Sequence, residues 1–280
     1  MSARVRRRFA QVDVFTTRPF LGNPLAVVLD AEGLADADMQ RIAHWTHLSE
    51  TTFVLPPTVA GADYRVRIFG RTEEFPFAGH PTLGTAQAVL DAGIATPRDG
   101  RLVMECAAGL VDVAVEAAGL SFRLPPYATR ATRLAERTPA ALGIREVIGE
   151  VSMIETGPHW LVARVPDVDA LAPDASLLRD LIAQNRASGI TAYTESGPGS
   201  IEVRTFFFID TMVEDPVCGS GNAAVAVHRL AAGAIGDGTT YCARQGRHVG
   251  RDGEVRVRIV GTDVHVGGSC VACVRGELLA

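Results

Sequence analysis

The sequence predicts an α+β protein made of two similar halves, and three observations support this. Residues 76–93 (PFAGHPTLGTAQAVLDAG) recur in modified form at 216–233 (PVCGSGNAAVAVHRLAAG), with six identities in eighteen positions and no gap. A strand-like run precedes each copy, YRVRIF at 64–69 and IEVRTF at 201–206. A single pair of repeats half a chain apart also differs from the many short periods of a solenoid. We therefore expect each half to contain a strand, a Gly-rich turn and an Ala-rich helix.

The first half is expected to alternate strands with two helices. Alternating apolar residues or short apolar runs predict strands at 9–15, 25–30, 48–56 and 64–69. The first helix, 36–47, begins at an Asp cap. The second begins near His80 and ends at Gly93, and Pro81 suits its first turn because no hydrogen bond is lost there. Residues 102–124 resemble a meander of short strands joined by Gly turns.

The second half is expected to follow the same plan after a crossover at 125–150, which is rich in Pro, Ala and Arg and holds a predicted helix. Strands are predicted within 153–165, 189–195, 201–209 and the C-terminal tail, and helices at 175–187 and 219–233. We place the halves at residues 1–125, which the last strand at about 268–280 could complete, and 126–267. The active site is expected in the cleft between the halves.

Composition excludes several classes of function. The chain has 280 residues, is 47% hydrophobic and carries a net charge of −5, so it lacks the basic surface that nucleic-acid binding requires. No apolar stretch approaches the roughly 20 residues of a membrane span, and the basic run at residues 3–8 lacks the apolar segment of a signal peptide. We expect a cytoplasmic enzyme. All 27 basic residues are arginine, which excludes a Schiff-base lysine for pyridoxal phosphate and a Walker A lysine.

The five cysteines are expected to be free thiols, because their number is odd and the chain is long. They are Cys106, Cys218, Cys242, Cys270 and Cys273. The last two have CxxC spacing within a predicted strand, where positions i and i+3 point to opposite faces. We therefore predict buried structural thiols there and no metal site.

The two Gly-rich turns are candidates for anion binding. Each precedes a helix, whose open N–H groups and dipole favour negative charge. If the halves face each other, both helix starts suit a small carboxylate or an enolate that forms when a proton leaves the adjacent carbon. The alternative is that the glycines only allow the helix to pack closely on the sheet. For either turn alone we favour that alternative, whereas the pair favours an anion site.

Three polar residues near these turns are candidates for chemistry. Glu50 lies between apolar residues of LSETTFVLP, so we predict a partly buried carboxylate that can shuttle a proton. His80 is either a helix cap or a base. Asp215 precedes the second turn and is a candidate polar anchor, although adjacent acids such as Glu214 and Asp215 usually lie on a solvated surface. The other histidines show no ligand spacing and are expected to be structural: His44, His47, His159, His228, His248 and His265.

Several motifs, in the same order along the chain, resemble the phenazine-biosynthesis PhzF-like family of the diaminopimelate epimerase superfamily. They are LSETTFV, FPFAGHPTLG and EDPVCGSGNAA, with further matches at 12–28 and 244–250. The resemblance implies the diaminopimelate epimerase-like fold, with two pseudo-symmetric halves that each wrap strands round a central helix. It also implies cofactor-independent proton transfer, as in the family's dihydro-hydroxyanthranilate isomerase.

The resemblance also assigns residues to roles. Glu50 matches the family's acid/base glutamate, while His80 and Asp215 match residues that hold the substrate in the catalytic site. We expect substrate contacts from the neighbouring turns and from the matched N-terminal segment 12–28, at Asn23, Gly79, Pro81, Gly219, Ser220 and Gly221.

The sequence departs from the family pattern in two places. After Glu-Asp-Pro the family has Ala-Thr-Gly-Ser-Ala, whereas this chain has Val-Cys-Gly-Ser-Gly from residue 217. Cys218 thus stands where epimerases and racemases of the superfamily have one of two catalytic cysteines, but the partner position is Ala78, so a two-cysteine racemase is not supported. The family's Gly-Arg-Pro-Ser is replaced by residues 250–253, Gly-Arg-Asp-Gly, which leaves the substrate open.

The leading hypothesis is a cofactor-independent isomerase or epimerase, assembled as a homodimer, that acts on a small carboxylate-bearing, amino-acid-like metabolite. Glu50 would move the proton, and Cys218 would be a second base if the helix start lowers the pKa of its thiol. One alternative is a 1,3-proton shift in which Cys218 takes no part. Others are a non-catalytic protein that holds a metabolite in the same cleft and a structural or partner-binding protein.

Overall fold

The computed structural model describes residues 5–280, and the chain contains eighteen strands and five α-helices in that range. In chain order they are β1 (Arg6–Val14), β2 (Asn23–Val28), α1 (Asp36–Thr46), β3 (Glu50–Leu55), β4 (Tyr64–Gly70), β5 (Glu74–Phe75), α2 (Gly79–Asp91), β6 (Arg101–Cys106), β7 (Gly109–Glu116), β8 (Gly119–Arg123), β9 (Ala128–Arg130), α3 (Thr138–Leu142), β10 (Ile148–Glu155), β11 (His159–Arg164), α4 (Ala175–Asn185), β12 (Gly189–Gly197), β13 (Ser200–Phe208), β14 (Met212–Glu214), α5 (Gly219–Ala231), β15 (Thr240–Gln245), β16 (Gly253–Val260), β17 (Asp263–Gly268) and β18 (Cys270–Leu279). The α+β prediction is confirmed.

The chain divides into two compact units. The first runs to Arg123 and includes Gly267–Ala280, and the second is Leu124–Val266. In the first unit the strands follow the order β18-β1-β2-β3-β4-β6-β7-β8. The pairs β2–β3 and β4–β6 are parallel, and the other pairs in this order are antiparallel.

The second unit repeats this topology. Its strands follow the order β9-β10-β11-β12-β13-β15-β16, with β11–β12 and β13–β15 parallel and the other pairs antiparallel. The helices α1 and α4, with 11 residues each, occur at equivalent points, before the second strand of the first parallel pair. The internal repeat in the sequence therefore corresponds to a repeat of the whole strand pattern.

Each unit has a central helix. The helices α2 and α5 have 13 residues each, and ten residues of each helix are buried. The helix α2 contacts strands from one end of the strand order, β18 and β1, to the other end, β8. Small residues such as Gly, Ala and Thr make this possible because they let strands approach on every side. For example, Gly84 has no room for a side chain, since a Cβ there would lie 2.7 Å from Leu25 and 2.8 Å from Val14.

The predicted elements are present, and most boundaries are shifted by up to about three residues, whereas β10 begins at Ile148, five residues before the predicted segment 153–165. The strand predicted at 9–15 starts earlier, at Arg6, and the crossover helix is the short α3. The sequence did not reveal the shortest strands, β5, β9 and β14, because two or three residues show no clear periodicity. Among the described residues, no helix has the length and apolar character that would let it cross a membrane.

Candidate active site

The start of α2 forms the polar region of the first unit. Ala78 precedes the helix in extended backbone conformation, and its side chain makes no hydrogen bond that caps this end. Gly79 is the first helical residue, and glycine suits this position because a Cβ there would lie 3.0 Å from the Phe122 ring. Pro81 has no N–H, and the N–H groups of Gly79 and His80 are open to an acceptor because the first N–H groups of a helix have no partner within it.

Glu50 and His80 lie side by side at this helix start. Glu50 is the first residue of β3, opposite Gly70 of β4, and His80 is the second residue of α2. The Oε2 atom of Glu50 is 3.6 Å from Nε2 of His80, and the two side chains are only 19% and 7% exposed. Both atoms are buried and neither has a hydrogen-bond partner among the described residues. Buried polar atoms without partners are rare, so this pair is a candidate for contact with a substrate.

His80 is expected to be uncharged at neutral pH. Burial lowers the pKa of its imidazole, and the charge of Glu50 opposes that effect only in part. A neutral imidazole carries one N–H and one acceptor nitrogen. His80 can therefore share a single proton with Glu50 or with a bound molecule.

Asn23 lies at the same end of the sheet as Glu50. It is buried and begins β2, which runs parallel to β3 with Ala26 opposite Thr51. Because parallel strands share their direction, the first residues of β2 and β3 lie at one edge. The structure thus groups Asn23, Glu50 and His80 in the first unit.

Cys218 caps α5 in the second unit. Its backbone is extended, and its Sγ accepts a hydrogen bond from the N–H of Gly221 at 3.2 Å. The hydroxyl of Ser220 lies 3.6 Å from the same sulfur. The indole N–H of Trp160 donates to Ser220 Oγ at 3.1 Å, which leaves the hydroxyl proton of Ser220 free to point to Sγ. The N–H groups of Gly219 and Ser220 remain open at this helix start, as in α2.

The prediction that the helix start lowers the pKa of Cys218 is wrong. Burial of the thiol, followed by the charge of Asp215, raises its pKa well above the usual range. The hydrogen bonds from Ser220 and Gly221 favour the thiolate but do not outweigh burial. Cys218 is therefore a protonated thiol at neutral pH, which can donate a proton but does not act as a base in the resting protein.

The two acids before α5 are held by the protein. Glu214 forms an ion pair with Arg204 at 2.7 Å, and both side chains are largely buried. Asp215 accepts a hydrogen bond from the N–H of Val217 at 3.0 Å, and its own N–H donates to the carbonyl of Thr205 at 2.9 Å. Asp215 therefore closes the loop that leads into α5, and its role in holding the substrate stays a prediction.

The glycines of the turns also serve packing. A Cβ on Gly221 would lie 2.6 Å from Thr191 Oγ1 and 3.1 Å from Cys218 Sγ. Close packing, which was the alternative interpretation of the Gly-rich turns, thus applies to both helices. It does not remove the open N–H groups, so packing and anion binding are compatible.

Sequence reasoning missed Gln245, Asn222 and Trp160. Gln245 is buried and hydrogen-bonds to the Cys218 turn, although it lies 27 residues further along the chain. Its position within RQGRHVG, one of the matched motifs, was the only available signal. Trp160 lies 60 residues from its partner Ser220 and had no signal. Within residues 5–280, no group of three or more His, Cys, Asp or Glu side chains is placed to hold a metal ion.

Comparison with known proteins places the chain among isomerases. A family model described as phenazine biosynthesis-like protein matches residues 12–276. The trans-2,3-dihydro-3-hydroxyanthranilate isomerase of Pseudomonas aeruginosa is 34% identical, over 92% of this chain and 92% of the relative. Antisense-enhancing sequence 1 of Schizosaccharomyces pombe is 38% identical, over 96% of this chain and 97% of that protein.

A solved structure gives the fold. The Bacillus anthracis phenazine biosynthesis protein of the PhzF family superimposes with a TM-score of 0.85 over 99% of this chain and 100% of that chain, at 23% identity. The matches define an isomerase with the diaminopimelate epimerase-like fold. The chain belongs to the phenazine biosynthesis-like family, as its motifs indicated. The homodimer and the cytoplasmic location stay predictions.

Proposed function

We propose that the chain is a cofactor-independent isomerase that moves a proton on a small, carboxylate-bearing, amino-acid-like metabolite, with Glu50 as acid and base. The observation that carries the proposal is the pair of buried, unpartnered atoms, Oε2 of Glu50 and Nε2 of His80, 3.6 Å apart. An unpaired buried acceptor costs about 1–3 kcal/mol. A substrate that supplies the missing partner removes this cost, so the arrangement favours binding.

The open N–H groups at the helix starts are proposed to hold the negative charge. At α2 they belong to Gly79 and His80, and at α5 to Gly219 and Ser220. Oriented N–H groups stabilise charge that develops in the transition state, here the enolate formed when a proton leaves the carbon next to a carboxylate. That the two halves act on one substrate is part of this proposal.

The proposed reaction conserves atoms and electrons. The Glu50 carboxylate takes a proton from an activated C–H bond, and the electron pair of that bond delocalises into the adjacent π system and carboxylate. The resulting Glu50 carboxylic acid then returns the proton to another carbon of the same π system. The product is an isomer with a shifted double bond, and Glu50 regains its charge. Neutral His80 would share a hydrogen bond with Glu50 or with the substrate during this cycle.

A second candidate reaction, epimerisation, is favoured by the protonated state of Cys218. After Glu50 removes the proton from one face, the Cys218 thiol would donate its proton to the opposite face of the same carbon. The thiolate left behind would accept hydrogen bonds from Gly221 and Ser220, which already contact Sγ. Proton return from Glu50 to Cys218 through solvent would complete the cycle.

Deuterium exchange tests the proposed function. The relatives' compound, trans-2,3-dihydro-3-hydroxyanthranilate, and a panel of amino acids would be incubated with the protein in D₂O and followed by NMR. We expect deuterium to enter one substrate and Glu50→Gln to slow exchange about 10²–10⁴-fold. Glu146→Gln, at an exposed position of the second unit, is the matched control and should exchange at the wild-type rate. Binding without exchange, or full exchange by Glu50→Gln, would contradict the proposal.

A further inference from the structure

We propose that Gln245 is a positioning residue that sets the orientation of the Cys218 thiol and of the open N–H groups at the start of α5. The inference rests on the proposed function, because it concerns how the same site is held ready. Gln245 ends β15 and is only 4% exposed. It belongs to neither of the two turns that the sequence repeat identifies.

Both ends of the Gln245 amide are engaged by the turn that precedes α5. Its Oε1 accepts from the N–H of Cys218 at 3.1 Å, and its Nε2 donates to the carbonyl of Asp215 at 3.0 Å. The amide can be oriented in only one way, because a backbone N–H needs an acceptor and a carbonyl needs a donor. One side chain thus joins the two ends of the Asp215–Cys218 turn.

Asn222 extends this contact to the other side of Cys218. Its Nδ2 donates to the carbonyl of Cys218 at 2.9 Å and to Gln245 Oε1 at 2.8 Å. Gln245 therefore holds the N–H of Cys218 directly and its carbonyl through Asn222. Since the N–H of Gly221 also binds Sγ, the backbone and the side chain of Cys218 are both restrained. Asn222 Oδ1 is buried without a partner among the described residues, so the loss of Gln245 would leave the Asn222 side chain only its hydrogen bond to the Cys218 carbonyl.

The chain beside Gln245 encloses the same turn. A Cβ on Gly246, which follows Gln245 and has a φ of +109°, would lie 2.4 Å from the carbonyl oxygen of Pro216. Gly253, which pairs with Gln245 across β15 and β16, would place a Cβ 2.2 Å from Val217 Cγ2. Close approach by these two glycines leaves the turn little freedom. The hydrogen bonds of Gln245 then select one orientation.

Two substitutions separate positioning from bulk packing. Gln245→Met keeps the length of the side chain and removes all three hydrogen bonds. Gln245→Glu keeps the shape and the Oε1 acceptor, but an ionised carboxylate presents oxygen to the Asp215 carbonyl where Gln245 presents N–H. When that Glu is protonated its O–H can donate again. Gln184→Met, at an exposed position on α4, is the matched control.

The measurement is the rate of iodoacetamide alkylation at Cys218, followed by mass spectrometry of its peptide, relative to buried Cys106 in the same sample. We expect Gln245→Met to raise the Cys218 rate by about tenfold, as the loss of a buried hydrogen bond implies, with Cys106 unchanged. At pH 8 Gln245→Glu, which keeps the Oε1 acceptor and loses only the bond to the Asp215 carbonyl, should raise the rate less than Gln245→Met does. Its rate should approach that of the wild type at about pH 6, where burial lets its carboxyl regain a proton while some thiolate remains to react. Gln184→Met should match the wild type at both pH values.

Three outcomes would overturn the inference. The first is an alkylation rate at Cys218 that equals the wild-type rate in both Gln245 variants. The second is an equal rise in the alkylation rate of Cys106. The third is a ratio of the Gln245→Glu rate to the wild-type rate that is the same at both pH values. If Gln245→Met does not fold, the pH dependence of Gln245→Glu decides. Deuterium exchange by Gln245→Met should fall about 10²-fold, since displacement by about 1 Å has this effect. The alkylation result does not require turnover, so failure of the proposed function would appear separately as absent wild-type exchange.

Discussion

Gly253 and Val217 offer the sharpest test of how the turn before α5 is packed. Gly253 opens β16, and its φ is not in the left-handed region, so alanine is compatible with the backbone there. A Cβ at this position would nevertheless lie 2.2, 2.8 and 3.1 Å from Cγ2, Cγ1 and Cβ of Val217. Carbon atoms pack best at about 3.5–4.0 Å, so the closest contact is too short by more than 1 Å.

The expected cost of Gly253→Ala follows from this overlap. Val217 is fully buried and branched at Cβ, so it has no free rotamer that clears all three contacts. Overpacking of this kind costs about 1–3 kcal/mol, while replacing a strand glycine by alanine returns about 0.5–1 kcal/mol. The net loss in the free energy of unfolding then lies within about 0–2.5 kcal/mol, and we expect a value in the upper half of that range because the closest contact is too short by more than 1 Å. The second substitution, Val217→Ala, should remove the overlap, and the double variant should be more stable than the sum of the two single changes by about 1–2 kcal/mol.

Urea unfolding of the wild type, both single variants and the double variant measures this coupling. Gly236→Ala is the control, because a Cβ there would meet nothing within 4 Å, and we expect it to leave stability nearly unchanged. The reasoning is refuted if Gly253→Ala is as stable as the wild type, or if the two effects simply add.

Two further predictions concern the active-site groups. Cys218→Ala removes the acceptor for the buried N–H of Gly221 and should lower the free energy of unfolding in urea by about 0.5–2 kcal/mol. Cys218→Ser keeps an acceptor and should lower it less. Equal losses in the two variants would argue against a capping role. Both variants should abolish epimerisation, measured by chiral chromatography, and leave a 1,3-proton shift intact. Burial lowers the pKa of His80. Below about pH 6.5 this imidazole therefore binds a proton in the unfolded chain more readily than in the folded chain. The contribution of neutral His80 to the free energy of unfolding should therefore be fully present above that pH and should fall as the pH decreases, by at most about 1.4 kcal/mol per pH unit. Unfolding measured at pH 7.5 and 5.5 should show a smaller decrease in stability for His80→Gln than for the wild type. An equal decrease in both proteins would contradict this.

Much of the fold could be predicted because it depends on local signals. Gly93 and Pro81 mark the ends of α2, and alternating residues mark the longer strands, so these elements required no knowledge of distant contacts. The repeat between 76–93 and 216–233 also implied two central helices, and the structure contains both. The short strands were missed because two or three residues carry no periodic signal.

The candidate site was predictable only in part. Glu50 and His80 were identified by their motifs, and the structure places them 3.6 Å apart. Gln245 and Trp160 were missed because their contacts with the Cys218 turn span 27 and 60 residues of chain. The protonation state of Cys218 was predicted wrongly, because a helix start is visible in the sequence whereas the depth of burial is not.

The departures from the family pattern acquire a physical explanation in three dimensions. Val217 stands where the family has alanine, and Gly253 stands where it has serine. Their atoms meet, since Gly253 leaves the space that Val217 Cγ2 occupies. The absence of a side chain at position 253 is therefore explained by packing against Val217.

The sequence by itself determined the repeated architecture, the absence of lysine chemistry and the identity of the acid and the histidine beside the first turn. These features depend on residue type and on neighbours along the chain. Only the tertiary structure decided that burial raises the pKa of Cys218 and lowers the pKa of His80, and that Gln245 hydrogen-bonds to the turn before α5. Burial and side-chain hydrogen bonds depend on segments that meet in space, so their effects on pKa and orientation are decided when the strands close round each central helix.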